Sequence, residues 1–233
     1  YDVYKEAGAK VEFVGHPLVD IVKPSMTINE ANAFAGKKEG RKLILLMPGS
    51  RLMEIEKMLP TLLEAAKIIQ KQLPEVDFVM PRAGTIPLNL LEEKIQASGL
   101  DVCITEGHNY DLFSVADLAL ATSGTVTLEA ALCGLGSVIV YRTNPLTYMI
   151  AKLVVNIPHI GLPNIVAGRG VVPELIQNDF TPAKFAKAAM ELLESERNAL
   201  MKKDLEYVKE RLGKPGAVGR VAELVLKIAG EKR

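Results

Sequence analysis

Runs that stay apolar from end to end, spaced by amphipathic stretches, restrict the fold of this chain more than any single residue does. Lys42 to Met47 is one such run, Leu118-Ala119-Leu120 another, and Ser137 to Tyr141 a third. A strand with one wet face alternates apolar and polar residues, so an uninterrupted run implies a strand covered on both sides. Between the runs, Glu54 to Leu73 sets Ile55, Met58, Leu59, Leu62, Leu63, Ala66, Ile69 and Leu73 at three- and four-residue steps, the buried stripe of a helix. The alternation continues with a strand at Asp77 to Met80, a helix at Leu88 to Ser98 and a strand at Asp101 to Thr105. A short helix at Tyr110 to Val115 and another ending near Leu132 complete it. Lys10 to Val14 also reads as a short strand, closed by Gly15-His16-Pro17. The pattern predicts an α/β fold with a doubly wound parallel sheet, whose ligands bind outside the carboxyl ends of the strands.

Past Tyr141 the character changes. Leu146 to Val155 reads as a short apolar helix and Gly161 to Arg169 as a loop rich in Gly, Pro and Asn. Thr181-Pro182 is a helix start, an N-cap followed by proline at the first helical position. Two further helices follow, Arg197 to Leu212 and Val218 to Ile228, parted by Gly213-Lys214-Pro215-Gly216. The division expected is an α/β unit over 23–180 and a helical end over 181–233.

The 233 residues suffice to bury a sizeable core, and 48% hydrophobic with 24% charged is ordinary for a globular protein. Lys plus Arg and Asp plus Glu both number 28, so no net field draws the chain to nucleic acid or anionic lipid, and anion binding has to be local. Cys103 and Cys133 lack metal-ligand spacing and sit in apolar runs, which predicts buried, reduced thiols and a cytoplasmic setting. No apolar run reaches the roughly 18 to 20 residues of a spanning helix. The opening residue is Tyr1, not Met, and the chain is expected to be a piece of something longer.

Two strand ends carry phosphate-type turns. Pro48-Gly49-Ser50-Arg51 follows the first apolar run: Gly49 lets the backbone approach a ligand, Ser50 and the following N–H groups donate, and Arg51 adds a charge. The same four residues also read as a helix N-cap beside a surface arginine. Ala121-Thr122-Ser123-Gly124-Thr125 joins strand to helix, where free N–H groups meet the positive end of a helix dipole. Glu129, one turn in, is placed to grip sugar hydroxyls, or simply to complement that dipole. Asn164 and Arg169 are either solvent-facing turn groups or ligand contacts. His16 and Asp20, four apart, read either as a backbone-satisfied turn or as a catalytic pair, the turn being the bland reading, and His108 and His159 stand alone. Tyr148, Met149 and Lys152, with Arg142 beside them, belong either to a core helix or to one that meets a membrane surface. Lys202-Lys203 through Lys214, mixed with acids, is a solvated helix face.

Taken together these motifs resemble the C-terminal half of the lipid-A-disaccharide synthase family, inverting glycosyltransferases of the GT-B fold. The matching residues are Phe13 to Asp20, Pro48 to Arg51 with Glu54-Ile55, Ala121 to Ala130, Tyr141-Arg142, Leu162 to Arg169 and Val172 to Gln177. The Ser-Gly-Thr…Glu element occurs in many GT-B enzymes; the Leu-Pro-Asn…Ala-Gly-Arg block is far more specific. Two departures stand out: Gly170 where the family has an acid, and Leu135-Gly136-Ser137 where it has proline.

The resemblance implies transfer of a diacylglucosamine from its UDP donor to diacylglucosamine 1-phosphate, forming the lipid A disaccharide. It implies no metal and no cofactor, because helix N-termini and cations stabilise the departing diphosphate. Carried over by motif, Gly49, Ser50 and Arg51 hold diphosphate, Ser123, Gly124 and Thr125 support phosphate and sugar, and Glu129 binds ribose. Gly107, beside Glu106, is placed at the uracil edge, and Asn164 and Arg169 line the donor site, with Arg51 and Asn164 assisting the chemistry. It implies further that residues 1–22 are the tail of an absent N-terminal acceptor domain holding the catalytic acids. This chain alone is then expected to bind UDP and to turn over little. The expected location is cytoplasmic and peripheral, on the inner face of a bacterial inner membrane; pairing with a second copy of the chain, or exchange of its last helices, stays open.

Rival readings are a UDP-N-acetylglucosamine 2-epimerase-like or other GT-B enzyme, and a stand-alone nucleotide-sugar binding module. A dinucleotide oxidoreductase is disfavoured, since the first strand lacks a Gly-x-Gly-x-x-Gly turn.

Overall fold

The computed structural model of the protein describes residues 1–144, 148 and 158–230. Its centre is a parallel sheet of six strands among the described residues: β1 (Lys42–Met47), β2 (Val76–Arg82), β3 (Val102–Glu106), β4 (Leu118–Thr122), β5 (Ser137–Tyr141) and β6 (Glu174–Ile176). The spatial order is β3-β2-β1-β4-β5-β6. The chain walks outward from β1 to β3, then returns to place β4 on the other side of β1. That reversal leaves a crevice at the carboxyl ends of β1 and β4.

The apolar runs are explained by burial on two faces. Ile44 and Leu46 of β1, with Leu118 and Leu120 of β4, face one core cluster, while Leu43, Leu45, Met47, Ala119 and Ala121 face the other. The first cluster is closed by the long helix α4 (Leu52–Gln72) and by α5 (Leu88–Ser98), and the second by α3 (Ile28–Phe34) and α6 (Asn109–Val115). The short α7 (Thr125–Leu132) contributes to both. After β5, the described chain continues with α8 (Leu162–Ala167), α9 (Pro182–Leu193), α10 (Ser195–Arg211) and α11 (Ala217–Gly230). Helix α9 packs along α4, and α10 against α7, α8 and α9, so Phe185, Ala189, Met201, Leu205 and Val208 share the first core. Gly136 makes room for this packing: a Cβ there would stand 2.0 Å from Met201 Sδ.

Helix α11 is different. Only Ala217 is buried in it, and Val218, Val221, Val225, Leu226 and Ile228 are exposed. Its start is tied to the N-terminal segment, which carries α1 (Asp2–Glu6) and α2 (Leu18–Ile21). Gly216 N donates to Asp20 Oδ1 at 2.5 Å, and Arg220 Nε donates to Val14 O at 2.9 Å.

Strands β1 and β5 and helix α5 fall where the sequence sets them, to the residue. Thr181 also caps α9 as expected, its Oγ1 accepting from Lys184 N at 3.3 Å. Three expectations fail. Lys10 to Val14 is not a strand: it pairs with none of the six strands and runs irregular and largely exposed before α2. Gly161 to Arg169 is not all loop, since α8 forms within it and ends on Gly168 in the left-handed region, at φ 69°. Cys103 is exposed and Cys133 half-buried, though both are free thiols. Strand β3 is the sheet edge, so its outward residues stay open. The three-residue β6 is too short to show a period, and α3 escaped notice although Thr27-Ile28-Asn29-Glu30 carries a capping box. The helix expected over Leu146 to Val155 lies, apart from Tyr148, outside the described residues. Among the described residues no helix is long and apolar enough to cross a membrane.

Candidate functional site

A cleft of about 380 Å³ opens at the β1/β4 crevice, within the range of small-molecule sites. Both turns singled out in the sequence line it: Gly49, Ser50 and Arg51 on one side, Thr122 to Val126 on the other. Thr122 Oγ1 donates to Pro48 O at 2.9 Å and fastens the two corners to each other. Thr85 Oγ1 donates to Ser50 O at 2.7 Å and braces the β1 corner from the β2 side. The sequence-derived convergence of the two turns is therefore present in the structure.

The β1 corner is not an empty cradle. Ser50 N and Arg51 N, which the sequence assigns to a ligand, both donate to Glu54 Oε2, at 2.8 and 3.2 Å. Arg51 Nη1 donates to Glu54 Oε1 at 2.8 Å, so the arginine's charge is already paired inside the chain. Burial pushes the Glu54 carboxyl up, but the bonds from Ser50 and Arg51 outweigh it and hold the group below the usual carboxylate range.

The β4 corner is more open. Ser123 N donates to Val140 O and Ser123 Oγ to Ile160 O, fixing the turn. Gly124 precedes α7, and the first N–H groups of that helix, on Thr125 and Val126, have no carbonyl within it to meet. Glu129 lines an adjoining cavity with Lys23, Ser25, His108, Tyr110 and Asp111, reached through the shared wall residue Asn109. Its carboxylate has no hydrogen bond or ion pair among the described residues. Burial alone raises its pKa above the ordinary value. A half-buried acid without donors is poised to accept from hydroxyls.

Three residues do not reach the cleft. Asn164 is 1% exposed, and its amide is saturated inside the protein. Nδ2 donates to Val172 O (2.9 Å) and Glu174 Oε1 (2.6 Å), and Oδ1 accepts from Val171 N (2.7 Å) and Val172 N (3.0 Å). Asn164 therefore staples α8 to the loop before β6. Arg169 lies on the surface of α10, donating to Asp204 Oδ1 at 2.6 Å and resting over the Tyr207 ring. Gly107 turns the chain after β3 with φ 72° but does not line either cavity. Arg142 is engaged elsewhere, donating to Phe180 O and stacking on its ring. His16 accepts from Leu18 N within its own turn, as its bland reading requires.

Sequence reasoning missed Arg82 and Asn109 in the cleft wall. Arg82 ends β2 and pairs with Glu106, and its place at a strand's carboxyl end was the available signal. It also missed Asp111, 2% exposed, which accepts from Ser25 N, Met26 N, Ser25 Oγ and His108 Nδ1 and pins the segment entering the domain. Asp111 carries no such signal, because its partners lie far upstream. Among the described residues no group of three or more His, Cys, Asp or Glu could hold a metal.

A doubly wound parallel sheet with its cleft at the β1/β4 reversal is the architecture of one half of the GT-B enzymes, glycosyltransferases and epimerases alike. A putative UDP-N-acetylglucosamine 2-epimerase from Listeria monocytogenes superposes with a TM-score of 0.61 at 17% identity, over 94% of this chain and 53% of that one. WaaG, a glycosyltransferase involved in lipopolysaccharide biosynthesis, gives 0.56 at 17% identity, over 87% and 51%. Anabaena HepE in complex with UDP-glucose gives 0.59 at 15%, over 89% and 55%. Such identities establish the fold alone.

Sequence narrows the class. The chain belongs to the lipid-A-disaccharide synthetase family, whose profile matches residues 1–228. The lipid-A-disaccharide synthase of Geobacter sulfurreducens is 42% identical over 230 residues, covering 98% of this chain and 60% of that protein. That of Nitrosococcus oceani is 41% identical over 224 residues, covering 96% and 58%. The chain thus spans about 60% of the length of the curated relatives it matches.

Proposed function

We propose that this chain is the nucleotide-sugar half of a glycosyltransferase that moves diacylglucosamine from UDP to diacylglucosamine 1-phosphate. Family membership, at 42% identity to a lipid-A-disaccharide synthase, supports that chemistry over an epimerase, which rests on fold likeness at 17%. The observation that carries the reading is the cleft itself. Two phosphate-type corners are tied together by Thr122, and an acid with no partner among the described residues, Glu129, stands one helical turn beyond.

In this reading the diphosphate lies between Ser50 and the N–H groups of Thr125 and Val126, at the positive end of the α7 dipole. Glu129 accepts from the ribose hydroxyls, and His108 and Asn109, in the turn that Gly107 begins, border the base. Arg51, 80% exposed at its side chain, can exchange Glu54 for the phosphates, and Arg82, paired with Glu106, adds a second cation to the wall. As UDP departs, fixed N–H groups and guanidinium charge stabilise the growing negative charge, so no metal is required. Solved relatives in fold bound to UDP or UDP-glucose support a nucleotide sugar as the ligand class. The acceptor and the groups that activate it belong to a further domain, with 1–22 as its tail, 23–180 as the nucleotide-sugar unit and 181–233 as the closing helices. Work at a membrane surface follows from the acylated substrates.

Calorimetric titration with UDP tests this. The chain is expected to bind UDP, and Glu129→Ala to weaken binding by about 1 to 3 kcal/mol, the loss of hydrogen bonds to a charged group. No heat with UDP, or equal affinity in the variant, refutes the reading.

A further inference from the structure

The most informative contact in the cleft is one the chain makes with itself. Glu54 lies one turn into α4 and curls back over Gly49, so that a Cβ on Gly49 would stand 2.4 Å from Glu54 Oε2. With φ 124°, Gly49 also holds a backbone conformation that side chains rarely adopt. The result is a carboxylate seated on two adjacent backbone N–H groups and a guanidinium. Those are the donors that a phosphate oxygen pair takes at a helix N-terminus. The corner does not need Glu54 to keep its shape, because Thr85 and Thr122 hold the Ser50 and Pro48 carbonyls from outside.

We propose that Glu54 is an internal stand-in for the ligand's phosphate: it occupies the β1 corner while the cleft is empty and must swing aside for a diphosphate to bind. The proposal rests on the cleft being a nucleotide-diphosphate site, and it makes Glu54 a positioning residue that sets affinity there. Its side chain is 27% exposed and Arg51's 80%, so both have solvent to rotate into. A simple capping box also has this geometry, but it makes no charge-dependent demand on the ligand. An anion displaced by another anion does: the carboxylate competes for the same donors and, once displaced, repels the phosphates that replaced it.

The test uses the whole chain and Glu54→Gln, which keeps the shape and the acceptor oxygen but removes the charge. UDP affinity by calorimetry is expected to rise about tenfold. Affinity for uridine, followed by chemical-shift titration, is expected to stay unchanged because it carries no phosphate. In the unmodified chain the Glu54 carboxyl carbon is expected to titrate below the ordinary range when free and to shift upward when UDP saturates the cleft. That second measurement stands even if the variant folds poorly. UDP affinity unchanged or weaker in folded Glu54→Gln, an equal gain for uridine, or an unmoved Glu54 titration overturns the role of Glu54 and leaves the cleft reading intact. No UDP binding by the unmodified chain overturns both.

Discussion

Replacing Asn164 with alanine separates a structural residue from a ligand contact. The side chain is 1% exposed and makes four hydrogen bonds, two as donor and two as acceptor. Not all four partners suffer equally. Glu174 keeps the N–H bonds from Ile160 (2.9 Å) and Gly161 (3.0 Å), so its carboxylate stays satisfied. The N–H groups of Val171 and Val172, residues 7% and 5% exposed, lose their only acceptor among the described residues. A buried donor left unmet costs roughly 1 to 3 kcal/mol. Two of them at about 1.5 kcal/mol each give about 3 kcal/mol, a large part of the stability of an ordinary domain. Urea unfolding monitored by far-UV circular dichroism reads this as a lower midpoint at constant slope. A loss below about 1 kcal/mol, or reduced UDP affinity with stability intact, would refute the assignment and return Asn164 to the ligand.

Acid should unfold the chain through its paired carboxylates. Burial pushes the carboxyls of Asp111 and Asp117 up, but N–H and cationic partners outweigh it and lower both below the ordinary 3.8. Their contribution is therefore complete above the unfolded value and lost as pH falls through the folded ones. The melting temperature is expected to hold level from about pH 7 to 5 and to fall below about pH 4, with a flatter acid limb in Asp111→Asn; a midpoint insensitive to acid would contradict this. Thiol labelling with iodoacetamide at pH 8, read by mass spectrometry, should modify exposed Cys103 first. Cys133, pushed up to about 11 chiefly by burial, should stay unmodified until the chain unfolds.

What the sequence disclosed and what it hid follow one physical division. Strands β1 and β5 were legible because burial on both faces leaves an unbroken apolar run, and helix α5 because burial on one face imposes a local period. The two phosphate-type corners were legible because small residues at strand ends have few other uses. Asn164 and Arg169 were misplaced because a motif names residues without saying which way they face, and here one points into the core and the other at Asp204. Asp111 was invisible because its partners, Ser25 and Met26, are 86 and 85 residues away in the chain. Glu54 was read only as part of a resemblance; that it bends back on Ser50 needs three dimensions.

The bond from Thr122 to Pro48 has a mechanical consequence. Neighbouring strands keep a spacing of about 4.8 Å, and this bond extends that spacing past the ends of β1 and β4 into the turns. The bond accordingly resists both narrowing and widening of the cleft floor at this point. On the function proposed above, the length it sets is that of the diphosphate, which every nucleoside diphosphate shares. On that proposal, discrimination among sugars falls to groups above the sheet.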